Sequence, residues 1–178
     1  GGGVYNAGTL TIINSTVSSS SGSYGGGIYN SGTLTITNST ILSNSAILFG
    51  GGGINNAGTL TITNSTISNN NASTVSEYGG GGIYNRGTLS MMDSTLFNNS
   101  VSSMGGGIYN YDYGTTSITN STLSSNSAGT AGGGIYNTGS LTLINDTFSN
   151  GSAPSGGGIV NGGSKILNYS NTIIANSM

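Results

Sequence analysis

The sequence contains no cysteine, no histidine and no tryptophan, and its only proline is Pro154. Without Cys there is no disulfide and no thiolate metal site. Without His or Cys, the usual pairing of a nucleophile with a base cannot be assembled. Charge is nearly as scarce. Asp, Glu, Lys and Arg make up 3% of residues, against about 25% in ordinary globular domains. Glu77, Asp93, Asp112 and Asp146 are set against Arg86 and Lys165, for a net charge of -2. That excludes the basic footprint of a nucleic-acid binder and the polybasic patch that holds anionic lipid. No apolar run approaches the ~20 residues of a membrane-spanning helix, so this segment is not expected to insert into a membrane. The chain opens on Gly1-Gly2-Gly3, inside a repeat, and no signal peptide is read there. Few charges and no Cys fit an exported protein, so an extracellular or cell-surface location is expected.

What fills the chain is Gly, Ser, Thr and Asn. Composition alone would suggest a low-complexity, disordered segment. Disorder does not require apolar residues in fixed phase, and this chain holds them. The residue after each glycine run is Val4, Ile28, Ile54, Ile83, Ile108, Ile135 and Ile159, at steps of 24 to 29 residues. Periods of that length mean stacked repeats. Within each repeat the apolar residues alternate, as in Leu34 and Ile36, Leu60 and Ile62, Leu141 and Leu143. Alternation marks a half-buried strand, and Gly with β-branched Thr argues against helix.

One repeat reads as one coil. Gly26 to Asn30 forms a first strand, a turn at Gly32 with positive φ follows, and Thr33 to Thr37 forms the second strand. A bend at Asn38 leads to the third, Thr40 to Leu42, which Asn44 ends. The rest is a variable loop, longest over Asn71 to Tyr78. Tyr111-Asp112-Tyr113 widens the first turn of coil five. Three short strands per coil give an all-β fold, a right-handed parallel β-helix of about seven coils in one domain. The coils start near residues 1, 25, 51, 80, 105, 132 and 156. Strands stack about 4.8 Å apart, with Ile28, Leu34, Ile36 and Ile41 inward over their counterparts. No coil buries this face alone.

Two series of Asn recur. Asn6, Asn30, Asn56, Asn85, Asn110, Asn137 and Asn161 hold one position in all seven coils. Asn14, Asn38, Asn64, Asn120 and Asn145 hold a second, with Asp93 in coil four. Asn tolerates the left-handed backbone of a bend, and stacked amides can bond to one another. Both series are read as Asn ladders at buried corners. On that reading the N-S-T sequons at Asn14, Asn38, Asn64 and Asn120 are structural. Asn71-Ala72-Ser73, in the long loop, is the better glycosylation candidate.

The phrase GGGIYN…LTITNST…SNNSA resembles the repeat of bacterial polymorphic outer-membrane proteins and related pectin-lyase-like β-helix surface proteins. Those repeats carry GGA[I/V] and FxxN motifs. The GG-I half is present in every coil, with Gly for the usual Ala. Ile41, Ile67 and Leu123 stand for the Phe, each three residues before an Asn, and Phe148 supplies an aromatic two residues before Asn150. The resemblance implies a surface passenger or adhesin, although a fold alone does not fix function.

No site for chemistry is read. Asp93 and Asp146 lie two coils apart at different repeat positions, where acid–base work needs clustered carboxylates. No Asp follows the glycine runs as a calcium repeat requires. Catalytic, metal and cofactor residues are therefore entered as none, and the chain is not expected to be an enzyme. Two outward features remain. Tyr5, Tyr29, Tyr84, Tyr109 and Tyr136 follow the inward anchor and form a column, interrupted by Asn55 and Val160, that could stack on sugar rings or on a neighbouring rod. Thr33, Thr35, Thr37, Thr59, Thr61 and Thr63 begin an uncharged grid of methyls and hydroxyls spaced about 6.7 by 4.8 Å. It resembles the TxT face of ice-binding solenoids, although Ile13, Met92 and Ile144 break its third column. Neither end reads as a cap, which suggests either a segment of a longer protein or coils that stack between subunits. The expected function is a structural or adhesive rod that self-associates end to end or laterally and contacts a glycan or host-surface ligand. Ice binding is the first alternative, and a polysaccharide-binding or polysaccharide-degrading helix the second.

Overall fold

The computed structural model describes residues 1–73, 78–162 and 165–178. Every element among them is a strand, and every strand pairing is parallel. The chain winds as a right-handed β-solenoid. Three seven-stranded sheets run along it. The first is built from copies of Ile28–Asn30, the second from copies of Thr33–Thr37 and the third from copies of Thr40–Leu42. Equivalent residues pair across coils without slippage, as Ile54 with Ile28 and Leu60 with Leu34. A one-residue slip would turn the apolar set outward. The repeat therefore fixes register along the whole rod.

A fourth, two-residue strand lies within what reads as variable loop. Ser45–Ala46, Asn71–Ala72 and Ser100–Val101 belong to a five-stranded sheet. Its small inward side chains, Ala46, Ala72, Val101 and Ala128, make a separate thin cluster. The long loop read over Asn71 to Tyr78 thus begins as strand. Its residues 74–77 lie outside the described residues. Asn71 is half-buried and donates to Ser100 Oγ at 2.8 Å, so it is not the free loop side chain the sequence suggests.

The main core is a bundle of like-on-like columns, including Ile28, Leu34, Ile36 and Ile41 with their counterparts. Each such side chain contributes about 1.5–3 kcal/mol when fully buried. Phe148 sits in the Ile41 column and is buried. Thr116 replaces Leu in the Leu34 column, where its hydroxyl donates to Asn110 Oδ1 at 2.8 Å.

The bends have two chemistries. Asn14, Asn38, Asn64, Asp93, Asn120 and Asn145 all take φ near +50°, the conformation Asn tolerates best among residues with a side chain. A second left-handed bend after the third strand carries Ser43, Asn69, Asn98, Ser125 and Asn150. Gly32 does not take the positive φ expected of it. A Cβ there would lie 2.0 Å from the Gly8 carbonyl oxygen, so glycine is required by the backbone of the neighbouring coil. The same holds inside the glycine runs, where a Cβ on Gly26 would meet Gly52 O at 2.2 Å.

Candidate functional site

The first Asn series forms the ladder its recurrence implies. Each Nδ2 donates to Oδ1 of the next, at 2.8 Å for Asn6 to Asn30, Asn30 to Asn56 and Asn56 to Asn85, and at 2.6 to 3.0 Å from Asn85 to Asn161. Asn6 through Asn137 are buried, and Asn161 in the last coil is exposed. The remaining amide hydrogen is shared between backbone carbonyls, for Asn30 those of Gly32 and Thr59. Every polar group at this corner has a partner, which burial demands.

The second series differs from the expectation. Asn14, Asn38, Asn64, Asn120 and Asn145 are exposed at the outer bend. Their side chains stack only from Asp93 through Asn120 to Asn145, at 3.2 and 3.1 Å. A φ of about +50° turns the side chain away from the core. After the first coil, where Ser15 is exposed, the buried member of each N-S-T triplet is the serine. Ser39 Oγ accepts from the Ser15 amide at 3.1 Å and donates to the Thr37 carbonyl at 2.7 Å. Ser65, Ser94 and Ser121 repeat this. In coil six Asp146 takes the serine place. Its Oδ1 accepts from Ser121 N–H at 2.8 Å and its Oδ2 from Ile144 N–H at 3.0 Å. Burial pushes its carboxyl above the ordinary range, against the pull of those two donors.

A second buried ladder is formed by Asn44, Asn70, Asn99 and Asn126, each Nδ2 donating to the next Oδ1 at 3.0 Å. Sequence reasoning took Asn44 only as a strand end. The signal was present, because these are the Asn residues three places after Ile41, Ile67, Leu96 and Leu123. A further missed feature is the column Thr16, Thr40, Thr66, Thr95, Thr122 and Thr147 on the third sheet. It runs unbroken through six coils, whereas the grid on the second sheet does not. That grid is in register, with Thr33, Thr35 and Thr37 beside Thr59, Thr61 and Thr63. Thr33 and Thr59 are exposed and the other four half-buried. Ile13, Met92 and Ile144 occupy its third column.

The tyrosine column stands on the outer side of the first sheet, but only part of it meets solvent. Tyr5 and Tyr29 stack with ring centroids 5.5 Å apart and planes within 3°. Tyr84 and Tyr109 are buried, because Tyr111 of the coil-five insertion packs on both, with Tyr78 beside Tyr109. Burial pushes the Tyr84 phenol up to about 12, and the nearby Arg86 opposes the shift. Tyr109 moves in the same direction for the same cause. Tyr136 is half-buried, edge-on to Tyr109.

Between Tyr29 and Tyr84 the column carries Asn55. There the surface sinks into a cavity of about 540 Å³, lined by Tyr5, Tyr24, Tyr29, Phe49, Asn55, Tyr78, Tyr84 and Arg86, with Gly1 at its edge. Tyr24 and Phe49 stack on one another at 5.8 Å, and the Arg86 guanidinium lies 5.7 Å over the Tyr84 ring. Cavities of roughly 300–1,000 Å³ lined by aromatic groups with few polar ones are the usual form of small-ligand sites. Among the described residues no three His, Cys, Asp or Glu side chains come together. Nor, among those residues, is any helix long and apolar enough to cross a membrane.

Parallel pairing, stacked core columns and internal Asn ladders define a right-handed parallel β-helix. The chain belongs to the family described as right handed beta helix region, whose model matches residues 3–177. No curated protein and no solved structure matches it.

Proposed function

We propose that this chain is a structural or adhesive rod of an extracellular or cell surface, and that its tyrosine face makes the contact, with carbohydrate as the ligand. One observation carries the reading. The Asn side chains that recur at the buried corners are spent on stacking, whereas six aromatic side chains gather on one side around a cavity of about 540 Å³. Aromatic rings with polar tips offer apolar area and hydrogen bonds together. Binding without cleavage is the reading for the carboxylates. Asp146 has both oxygens engaged by backbone amides, and Asp93 stands at an exposed bend. Further coils, from a continuation of this chain or from a second copy, would add to the strands of the end coils. Self-association along the rod is part of the proposal.

The test is retention on immobilised glycans. The protein should be retained on at least one polysaccharide, and the triple variant Tyr5→Ser, Tyr29→Ser, Tyr136→Ser should not. Equal retention of the two, or no retention of either, sinks the reading. A second reading, ice binding, is favoured by the register of the Thr columns on the second sheet, which carries no charged side chain. Thermal hysteresis that disappears in Thr35→Lys or Thr61→Lys would establish it, and its absence in the parent protein would dismiss it.

A further inference from the structure

The tyrosine column pairs Tyr5 with Tyr29 and Tyr84 with Tyr109 in register, and Asn55 stands between these pairs. Neighbouring strands are about 4.8 Å apart, so Tyr29 and Tyr84 are about 9.6 Å apart along the rod. Asn55 lacks the ring that these neighbours carry. The column therefore has a gap one ring deep at this coil, and the cavity opens there.

The amide at the base of the gap is held in place. Asn55 is 1% exposed. Its Nδ2 donates to the Tyr24 carbonyl, and Gly50, with φ of +90°, lies so close that a Cβ there would meet Nδ2 at 2.1 Å. With the nitrogen committed, Oδ1 is left as a buried acceptor with no donor. Stranding such a group costs about 1–3 kcal/mol, and an unsatisfied buried group in a folded protein requires an explanation. Elsewhere in the chain, buried Asn side chains are satisfied by the coil above or below. Here the ladder partners in register are Tyr29 and Tyr84, which offer Oδ1 nothing.

We infer that the Asn55 gap is a binding subsite for one uncharged pyranose ring. Resting on the carbohydrate reading above, it names the position that selects the ligand. A pyranose presents C–H bonds on its faces and hydroxyl groups at its rim. The C–H face suits the electron-rich face of tyrosine, and a rim hydroxyl is the donor that Oδ1 lacks. A ring midway between Tyr29 and Tyr84 would lie about 4.8 Å from each, close to the spacing of stacked aromatic pairs. The charge state follows from the walls. Among the described residues the one side-chain cation lining the cavity, Arg86, already lies over the Tyr84 ring, and the group that seeks a partner is a neutral acceptor. A site built to bond a hydroxyl discriminates strongly against ligands lacking it.

The experiment titrates the whole chain with maltohexaose, cellohexaose and mannohexaose as neutral probes and polygalacturonate as the acidic one. Intrinsic tyrosine fluorescence and calorimetry supply the readouts. Asn55→Tyr replaces the gap with the ring its neighbours carry, and thermal melting reports whether that variant folds. Tyr29→Ala removes a wall at a position that meets solvent. Phe97→Ser, on the third sheet, is the control. At least one neutral hexasaccharide should bind. Asn55→Tyr and Tyr29→Ala should each weaken it by about tenfold or more, with Phe97→Ser unchanged. If Asn55→Tyr melts far below the parent, Tyr29→Ala carries the test alone. Neutral-sugar binding that survives the folded variants within about twofold overturns the subsite and leaves the carbohydrate reading standing. Binding of polygalacturonate alone overturns the assignment of an uncharged ring. No binding of any probe, together with no retention on immobilised glycans, overturns both.

Discussion

The side-chain amide of Asn56 donates to Oδ1 of Asn85 at 2.8 Å, across 29 residues of sequence and one turn of the solenoid. Eight residues on, Asn64 points into solvent from a bend with φ of 48°. The same residue type thus does two unrelated jobs within one coil. Asn56→Ala removes the acceptor of Asn30 Nδ2 and the donor to the Thr88 carbonyl. It should cost about 1–3 kcal/mol for each buried group left without a partner. Asn64→Gly should be nearly neutral, while Asn64→Ala should cost about 1–2 kcal/mol for its left-handed backbone. Chemical denaturation of the three variants checks the order.

Gly81→Ala should be among the most damaging single-methyl changes. The added Cβ would lie 2.2 Å from the Gly106 carbonyl oxygen and 2.7 Å from Ser100 backbone atoms. Backbone on two sides leaves nothing soft to move, so the cost should reach or exceed the roughly 1–3 kcal/mol of ordinary overpacking. A melting temperature equal to the parent's would refute the spacing argument.

Asp146 predicts an acid-side pH dependence of unusual sign. Its carboxyl is raised above the ordinary 3.8 by burial. The native state then holds the proton over a range where the unfolded chain has released it, so stability falls as pH rises through that range. The loss begins near 3.8 and is complete once pH passes the raised native value. Asp146→Ser, which restores the residue of the other coils, should abolish this slope and raise stability at neutral pH. Denaturation midpoints measured across that window for both proteins decide it.

At the alkaline end the same linkage acts through Tyr84. Its phenol is pushed from 10.0 up to about 12, so stability should fall between those pH values. Phenolate absorbance should show a late-ionising fraction. Tyr84→Phe should reduce the late fraction, and an unchanged titration curve would contradict the burial of that ring.

Much of the architecture was legible because a strand has period two and the coil repeats its phase. Leu34 and Ile36 announce one inward face, and their counterparts in every coil announce stacking. The first Asn ladder was legible for the same reason. The N-S-T triplets were misassigned because recurrence marks a constrained position without saying which way it faces. Asn38 recurs for its backbone conformation, while the buried hydrogen bonds belong to Ser39. Asn44 reads from the sequence only as a strand end, because a fixed spacing after Ile41 does not say which way the side chain faces.

By itself the sequence determined the solenoid, its register and its inward columns, because alternation and a fixed period leave one way to bury those side chains. The depth at which each outward group lies was decided only by tertiary structure. Tyr84 and Tyr109 are covered because the coil-five insertion lays Tyr111 across both, Tyr84 lying one coil away. Asn55 is sealed at its nitrogen because Gly50 from the preceding loop and Tyr24 from the loop one coil earlier close on it. The contacts of Tyr84 with Tyr111 and of Asn55 with Tyr24 join residues of different coils at no repeating spacing, and packing between coils creates them.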